Sequence, residues 1–152
     1  KMISQNEETL TSITNQTTPN PSVNPINFGN FGPLLLHLTE KELHIVLNPP
    51  LLLSLTIDEF FAPAKRPTKN PNPPRYLNSY LLWKRNYDAS HTSKNFTQRS
   101  RESSVMWSRS DDEIKLFFKI LSKLHKSYHE LMYPEYKYSP KRNNSSKVNA
   151  RL

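Results

Sequence analysis

One long amphipathic run, closed by a proline, constrains this chain more than any other feature. Apolar side chains recur in it at steps of three and four residues, which is the period of an α-helix. They are Ile114, Phe117, Phe118, Leu121, Leu124, Tyr128 and Leu131. Three acids follow Ser110, a good N-cap residue, and Pro134 stands just beyond the run. Because acids suit the start of a helix and proline ends one, the pattern predicts a helix over residues 111–132.

A basic, aromatic segment follows this helix directly. Residues 133–142 read YPEYKYSPKR, with two prolines, three tyrosines and three cations. Proline stiffens the backbone, and lysine and arginine attract a polyanion. We name residues 133–142 the strap, and we expect it to lie along a negatively charged partner.

The net positive charge of the chain lies in its second half. Residues 1–64 hold 2 Lys against 6 Asp and Glu, whereas residues 65–142 hold 17 Lys and Arg against 7 Asp and Glu. This asymmetry indicates a nucleic acid or an anionic membrane surface as partner, and a basic domain with solvated lysines is the plainer alternative. With 13 prolines and 35% hydrophobic residues, one domain with tails is expected. The chain has no cysteine, which excludes disulfides and thiolate metal sites.

The N-terminal region, residues 1–64, is predicted to be largely disordered, because residues 1–32 are polar, of low complexity and without apolar periodicity. Residues 33–61 are instead rich in leucine. A charged break at residues 39–42, which carries a capping-box pattern, and the Pro49-Pro50 pair interrupt them too often for a transmembrane helix, so no membrane partner is expected. Two alternatives stay open for residues 33–61. They form a docking site for a protein partner, or they form a flap that packs on the domain or a half-ordered linker.

Residues 65–142 are predicted to form the domain itself. A basic, proline-rich linker over residues 65–74 precedes two shorter helical patterns, over about residues 77–90 and 97–107. The second pattern is poor in apolar side chains, which cluster only near its end. Residues 143–152 form a basic tail.

Four motifs in order resemble the HMG-box domains, most closely the single-box, sequence-specific type found in fungal mating-type proteins and in the sex-determining group. The family's opening pattern, Arg-Pro-x-Asn-Ala-Phe-x-x-Trp/Tyr-x-Arg, is similar to Arg75–Arg85, which reads RYLNSYLLWKR. Trp107 takes the place of the family's second tryptophan, and Phe117-Phe118 match its aromatic pair. The strap matches the closing Tyr-Pro-x-Tyr-Lys-Tyr-x-Pro-basic-basic pattern. The resemblance covers about residues 65–142 and implies an all-α, L-shaped, three-helix box.

The resemblance also implies a surface for the minor groove of A·T-rich double-stranded DNA. Leu81 takes the position of the apolar wedge that enters the base stack and bends the duplex, with Tyr80 beside it and Asn78 at the base edges. The other expected contacts are Arg75, Arg85, Ser100 and Arg101 on phosphates, and Tyr138, Lys141 and Arg142 along the groove. Leu81 has a second interpretation as a core residue, and core is the preferred interpretation for both tryptophans and the phenylalanine pair.

The second helix departs most from the family pattern. Tyr76 replaces the family's proline, and the stretch between the two tryptophans is shorter and lacks the usual Asn-Pro turn. Two apolar anchors of the second helix are replaced by Arg99 and Ser103, and we expect Phe96 to turn inward and replace one of them. Because each large apolar side chain contributes about 1.5–3 kcal/mol on burial, this helix is predicted to be weakly stable without DNA.

Taken together, these features predict a nuclear transcription regulator of mating-type character. The alternatives are a non-specific architectural chromatin protein and a box-fold protein-interaction module with degraded DNA binding. An enzyme is not expected, because no paired carboxylates, nucleophile–base set or phosphate-binding glycine loop is visible. No cofactor or metal is expected either, since His125 and His129 lie four apart without a supporting ligand, and we place them at the surface or the core edge.

Overall fold

The computed structural model describes residues 26–63 and 72–140, and every regular element in these two ranges is a helix. In chain order they are a 3-10 helix (Gly29–His37), α1 (Glu40–Leu47), α2 (Ile57–Phe61), α3 (Ser79–Ser90), α4 (Phe96–Ser108) and α5 (Asp112–Met132). The prediction of an all-α fold is confirmed. None of the described helices combines the length and the apolarity that crossing a bilayer needs.

The longest described helix, α5, lies at the centre of the core. The Phe117-Phe118 pair and Leu121 are 0% exposed on its predicted apolar face. Its N-cap residue is Asp111 rather than the expected Ser110. The reason is local, because the Ser110 hydroxyl donates instead to the carbonyl oxygen of Met106 at 2.8 Å, within the last turn of α4.

An aromatic cluster joins the three longer helices. Helix α3 packs against both α5 and α4. Its Trp83 is buried, and the Trp83 ring lies 5.6 Å from the ring of Trp107 in α4. Trp107 in turn meets Phe118 of α5 edge to face, at 6.3 Å between ring centroids. These aromatic residues therefore form the junction of the helices, as the preferred interpretation of the sequence had it.

The interface between α3 and α4 is polar at the two positions where the family pattern has apolar anchors. Ser103 is 0% exposed, and its hydroxyl donates to the carbonyl oxygen of Ser100 at 3.1 Å. The Arg99 guanidinium donates to the carbonyl oxygen of Lys94 at 2.9 Å, and its Nε lies 3.6 Å from the Asp88 carboxylate. Small and polar side chains thus fill the space that two large apolar ones would occupy.

Glu102 supplies further polar contacts at this interface. It accepts from the Tyr87 hydroxyl at 2.9 Å and from the Gln98 amide at 3.2 Å, and it pairs with the Lys94 ammonium. The expectation that Phe96 turns inward is wrong, since its side chain is 69% exposed. Because polar groups already occupy the interface, they leave Phe96 at its edge.

Residues 26–63 form a layer over α5 and α3, which we name the N-terminal layer. Its 3-10 helix and α1 pack against α5, and its α2 packs against α3. Six of its apolar side chains join the core of the other helices: Phe28, Leu34, Val46, Ile57, Phe60 and Phe61. Of the alternatives for residues 33–61, the structure shows the flap that packs on the domain.

The two α-helices of the layer each begin at a capping box. The predicted pair is present in α1, where the Thr39 N–H donates to Glu42 at 2.9 Å and the Glu42 N–H donates to the Thr39 hydroxyl oxygen at 3.3 Å. Thr56 and Glu59 repeat the arrangement at α2. Lys123 of α5 also pairs with Glu42 at 3.0 Å, which ties the start of α1 to α5.

Candidate nucleic-acid interface

A groove opens between the start of α3 and the strap. Its walls come from the extended segment before α3, the first turn of α3, the end of α5 and the described part of the strap. The lining residues are Arg75, Tyr76, Leu77, Asn78, Leu81, His129, Glu130, Tyr136 and Tyr138. The structure therefore brings four of the residues expected to contact DNA onto one surface: Arg75, Asn78, Leu81 and Tyr138.

Leu81 is an exposed apolar side chain on the first turn of α3. It is 40% exposed, whereas the adjacent Leu82 and Trp83 are 0% and 6% exposed. Neighbouring positions on an α-helix point about 100° apart, so one turn holds both core and surface residues. The interpretation of Leu81 as core is wrong, and its side chain is accessible to a ligand.

Asn78 links the groove to the geometry of α3. It is the N-cap residue, and its Oδ1 accepts from the N–H of Leu81 at 2.9 Å. Such a bond satisfies a backbone donor that the start of a helix otherwise leaves free. The same side chain therefore orients the turn that carries Leu81 and presents its amide group at the groove.

Arg75 and Tyr138 close the groove from opposite sides. The Arg75 guanidinium lies over the Tyr138 ring, 3.7 Å from its centroid. A cation over an aromatic face is attracted by the negative charge of the ring face. Both residues are exposed, and this contact joins the strap to the segment before α3.

Two buried histidines of α5 hold the backbone that leads into α3. Nδ1 of His125 accepts from the Leu77 N–H at 2.9 Å, and Nε2 of His129 donates to the Pro74 carbonyl oxygen at 2.7 Å. Ser122 adds a bond from its hydroxyl to the Leu77 carbonyl oxygen at 2.8 Å. The two histidines are 7% and 9% exposed, so they are part of the core and not of the surface. These bonds determine where the groove begins.

The neutral form of His125 is required for this arrangement, because a protonated Nδ1 cannot accept a hydrogen bond. Burial, together with the nearby charges of Arg85 and His129, lowers the pKa of His125 to about 4. The ring also stacks on Phe61 of the N-terminal layer, at 4.8 Å between centroids. His125 is thus a neutral acceptor near pH 7.

Three further expected contacts lie on α3 and α4. Tyr80 is half-buried, its ring packs near Trp83 and Trp107, and its hydroxyl is 3.4 Å from that of Ser103. Ser100 is half-buried, and its carbonyl oxygen accepts from the Ser103 hydroxyl. Arg101, the third of these expected contacts, is exposed on the surface of α4.

Arg85 faces the N-terminal layer, where its guanidinium donates to backbone carbonyl oxygens at the end of α2. The strap residues Lys141 and Arg142 lie outside the described residues. The structure therefore places the start of α3 and the strap on one groove, leaves Arg101 exposed on α4 outside that groove, and directs Arg85 to the N-terminal layer.

The sequence interpretation missed the role of the histidine pair, although a signal was present. His125 and His129 are four residues apart, and His125 follows the core residue Leu124 directly, on a helix with one apolar face. A polar pair in such a position predicts buried hydrogen bonds to a neighbouring backbone segment. Within the described ranges, no group of three or more His, Asp or Glu side chains could hold a metal ion.

No protein-family model matches the chain, and no solved structure matches it. Among curated proteins, it is 30% identical over 105 residues to the mating-type M-specific polypeptide Mc of Schizosaccharomyces pombe, which covers 62% of this chain and 58% of that protein. It is 29% identical over 108 residues to the polypeptide of the same name from Schizosaccharomyces kambucha. The chain thus spans less than two thirds of the length of these relatives.

A third relative is named for transcription. The chain is 35% identical over 68 residues to the transcription factor ste11 of Schizosaccharomyces pombe, which covers 45% of this chain and 14% of that protein. None of these three relatives is named as an enzyme. The chain is therefore similar, over the larger part of its length, to mating-type polypeptides of fission yeasts and, over a shorter part, to a transcription factor.

Proposed function

We propose that the chain is a nuclear transcription regulator of mating-type character, which binds the minor groove of A·T-rich DNA through an HMG box and bends it. One observation carries the proposal. The exposed apolar side chain of Leu81 lies at the edge of a groove that Arg75, Asn78 and Tyr138 also line. An isolated large apolar group beside hydrogen-bond donors and a cation fits a partner that has both a stacked apolar interior and a charged backbone.

The proposed mechanism is wedge insertion. Leu81 enters between two base pairs, Asn78 donates to the acceptors on the base edges, and Tyr80 lies against the sugars. Unstacking one base step costs a few kcal/mol, and wrapping more protein surface on the bent duplex offsets that cost. Arg75, Arg101 and Ser100 contact phosphates, while the strap follows the groove with Tyr138, Lys141 and Arg142.

Bending measured by gel mobility on A·T-rich duplexes tests the wedge. We expect Leu81→Ala to retain binding and to reduce the bend angle, because alanine cannot hold the base step open. Leu36→Ala is the matched control, since Leu36 is 87% exposed and lies in the N-terminal layer, and its bend angle should equal that of the unsubstituted chain. An unchanged bend angle in Leu81→Ala would remove Leu81 from the mechanism.

Binding-site selection from random duplexes separates a sequence-specific regulator from an architectural chromatin protein. We expect an enriched A·T-rich motif, because Asn78 supplies a hydrogen bond that distinguishes base edges. Recovery of DNA without any enriched motif would favour the architectural alternative.

A protein-interaction module is the second candidate function. It is favoured by one observation, namely that the end of α4 exposes the apolar side chains of Val105 and Met106, which are neighbours in the sequence, at 47% and 52%. Exposed apolar groups near one another are typical of protein docking sites. DNA binding that is absent at low salt, where phosphate contacts are strongest, would favour this candidate.

A further inference from the structure

Arg85 is committed to the N-terminal layer by its hydrogen bonds. Its Nη1 lies 2.8 Å from the carbonyl oxygen of Phe60, 2.7 Å from that of Ala62 and 3.4 Å from that of Glu59. These oxygens are at the C-terminal end of α2, which is only five residues long. The last carbonyl groups of a helix have no partner within the helix, and they carry the negative end of its dipole. A guanidinium suits both requirements.

A helix as short as α2 does not form alone, so it depends on tertiary contacts. One face supplies Ile57 and Phe60, which are 1% and 0% exposed. The Phe60 ring meets Phe118 of α5 at 6.3 Å. The backbone before α2 is held by Asn86, the residue after Arg85. Its side-chain oxygen Oδ1 accepts from the Ser54 N–H at 2.7 Å. Two consecutive residues of α3 therefore bind the backbone on both sides of α2.

The environment of Arg85 does not suit a phosphate. The side chain is half-buried, and this desolvation lowers the pKa of Arg85. Moving the guanidinium to a phosphate would leave the carbonyl oxygens of Phe60 and Ala62 without their donor. Phe60 is 0% exposed whereas Ala62 is exposed, so the move would leave the Phe60 acceptor unpaired in a place where water does not replace the donor.

We propose that Arg85 is a positioning residue that clamps α2 onto α3, so that the N-terminal layer belongs to the DNA-binding unit, and that it does not contact phosphate. The inference rests on the proposed function for its DNA partner only. It departs from the resemblance, which assigns a DNA contact to this position. If the N-terminal layer belongs to the DNA-binding unit, that unit begins before residue 64.

The first test is the salt dependence of DNA binding by the full chain. Each phosphate contact adds about 0.9 to the slope of log K against log salt concentration. We expect Arg85→Gln to leave the slope unchanged, because no phosphate contact is lost. Arg101→Gln is the matched control. Arg101 is exposed on α4 and is a proposed phosphate contact, so the slope of this variant should be smaller by about 0.9.

The second test is amide hydrogen exchange of the free chain at Phe60 and Phe61. We expect exchange at these amides to accelerate about tenfold or more in Arg85→Gln, because the end of α2 loses a charged donor. Arg85→Lys keeps the charge, so a phosphate contact would survive in it, whereas Nη1, the nitrogen that lies within 3.4 Å of all three carbonyl oxygens, would be lost. Faster exchange in Arg85→Lys therefore also supports the clamp.

The inference is overturned by a slope that falls by about 0.9 in Arg85→Gln while exchange at α2 stays unchanged. Unchanged exchange in Arg85→Lys overturns it as well, even where Arg85→Gln does not fold. A chain that fails to bind DNA would refute the proposed function, and the exchange experiment would still decide the role of Arg85.

Discussion

The groove end of α3 and the interface of α3 with α4 are built from different interactions. At the groove end, buried His125 and His129 bind the backbone directly, and both are under 10% exposed. The α3–α4 interface includes ion pairs that are partly exposed. The paired side chains of Lys94 and Glu102, for example, are 33% and 35% exposed. Exposed ion pairs contribute little to stability, whereas buried hydrogen bonds contribute more and place atoms more exactly.

The two regions also differ in their proposed DNA contacts, since the groove end carries Arg75, Asn78, Leu81 and Tyr138, whereas α4 carries Ser100 and Arg101 and departs from the family pattern. A wedge works only when its helix turn is held in place, and residues outside the wedge motif provide that support here. At α4, polar contacts take the place of two apolar anchors, and the weak stability of this helix without DNA stays a prediction.

The largest expected effect comes from the core that both regions share. Phe118 is 0% exposed and meets Trp107 of α4 and Phe60 of the N-terminal layer. Phe118→Ala leaves a cavity, and we expect the free energy of unfolding to fall by about 3–5 kcal/mol in urea titrations. The exposed control Leu36→Ala should change it by less than about 0.5 kcal/mol. A change as small as the control's would mean that the two regions have separate cores.

The next effect depends on pH and isolates the groove end. The pKa of His125 is about 4 in the folded chain against 6.5 in the unfolded one. As pH falls from 6.5 to 4, the unfolded chain binds a proton that the folded chain resists. The free energy of unfolding should therefore drop across this window, by up to about 3 kcal/mol in total, and be unaffected by this group above it.

Urea titrations at pH 7 and pH 5 measure this drop. His125→Gln keeps an acceptor for the Leu77 N–H but does not titrate, so it should lose this part of the pH dependence. His44→Gln serves as control because His44 is exposed on α1, and it should retain the dependence. Equal pH dependence in both variants would show that His125 is not the group responsible.

The smallest effect isolates the α3–α4 interface. Ser103→Ala removes a hydroxyl that donates to Ser100 and lies near Tyr80, and we expect a loss of about 1 kcal/mol. Amide exchange should accelerate in α4 and not at Leu77 in the groove. Ser104→Ala, at an exposed neighbouring position, should change neither quantity. Faster exchange at Leu77 in Ser103→Ala would mean that the two regions are coupled.

Features that depend on residues close together in the sequence were predicted, and features that depend on distant residues were not. The period of α5, the capping box at Thr39 and the aromatic positions in α3 and α5 were predicted, because they depend on residues within one or two helix turns. The exposed position of Phe96 was not predicted, since it depends on which side chains fill the interface between α3 and α4. The bonds of His125 were not either, because their partner Leu77 lies 48 residues away in the chain.

The amino-acid sequence by itself indicated that this chain is helical, that its cationic half ends in the strap, and, through the family resemblance, that Leu81 stands at the position of a DNA wedge. Local periodicity and charge suffice for the first two conclusions, and the third rests on the resemblance. Only the tertiary structure decided that residues 26–63 share the core, that Leu81 is exposed and that Arg85 binds the end of α2. Burial and hydrogen bonding between distant segments depend on how helices pack in three dimensions, which no local pattern specifies.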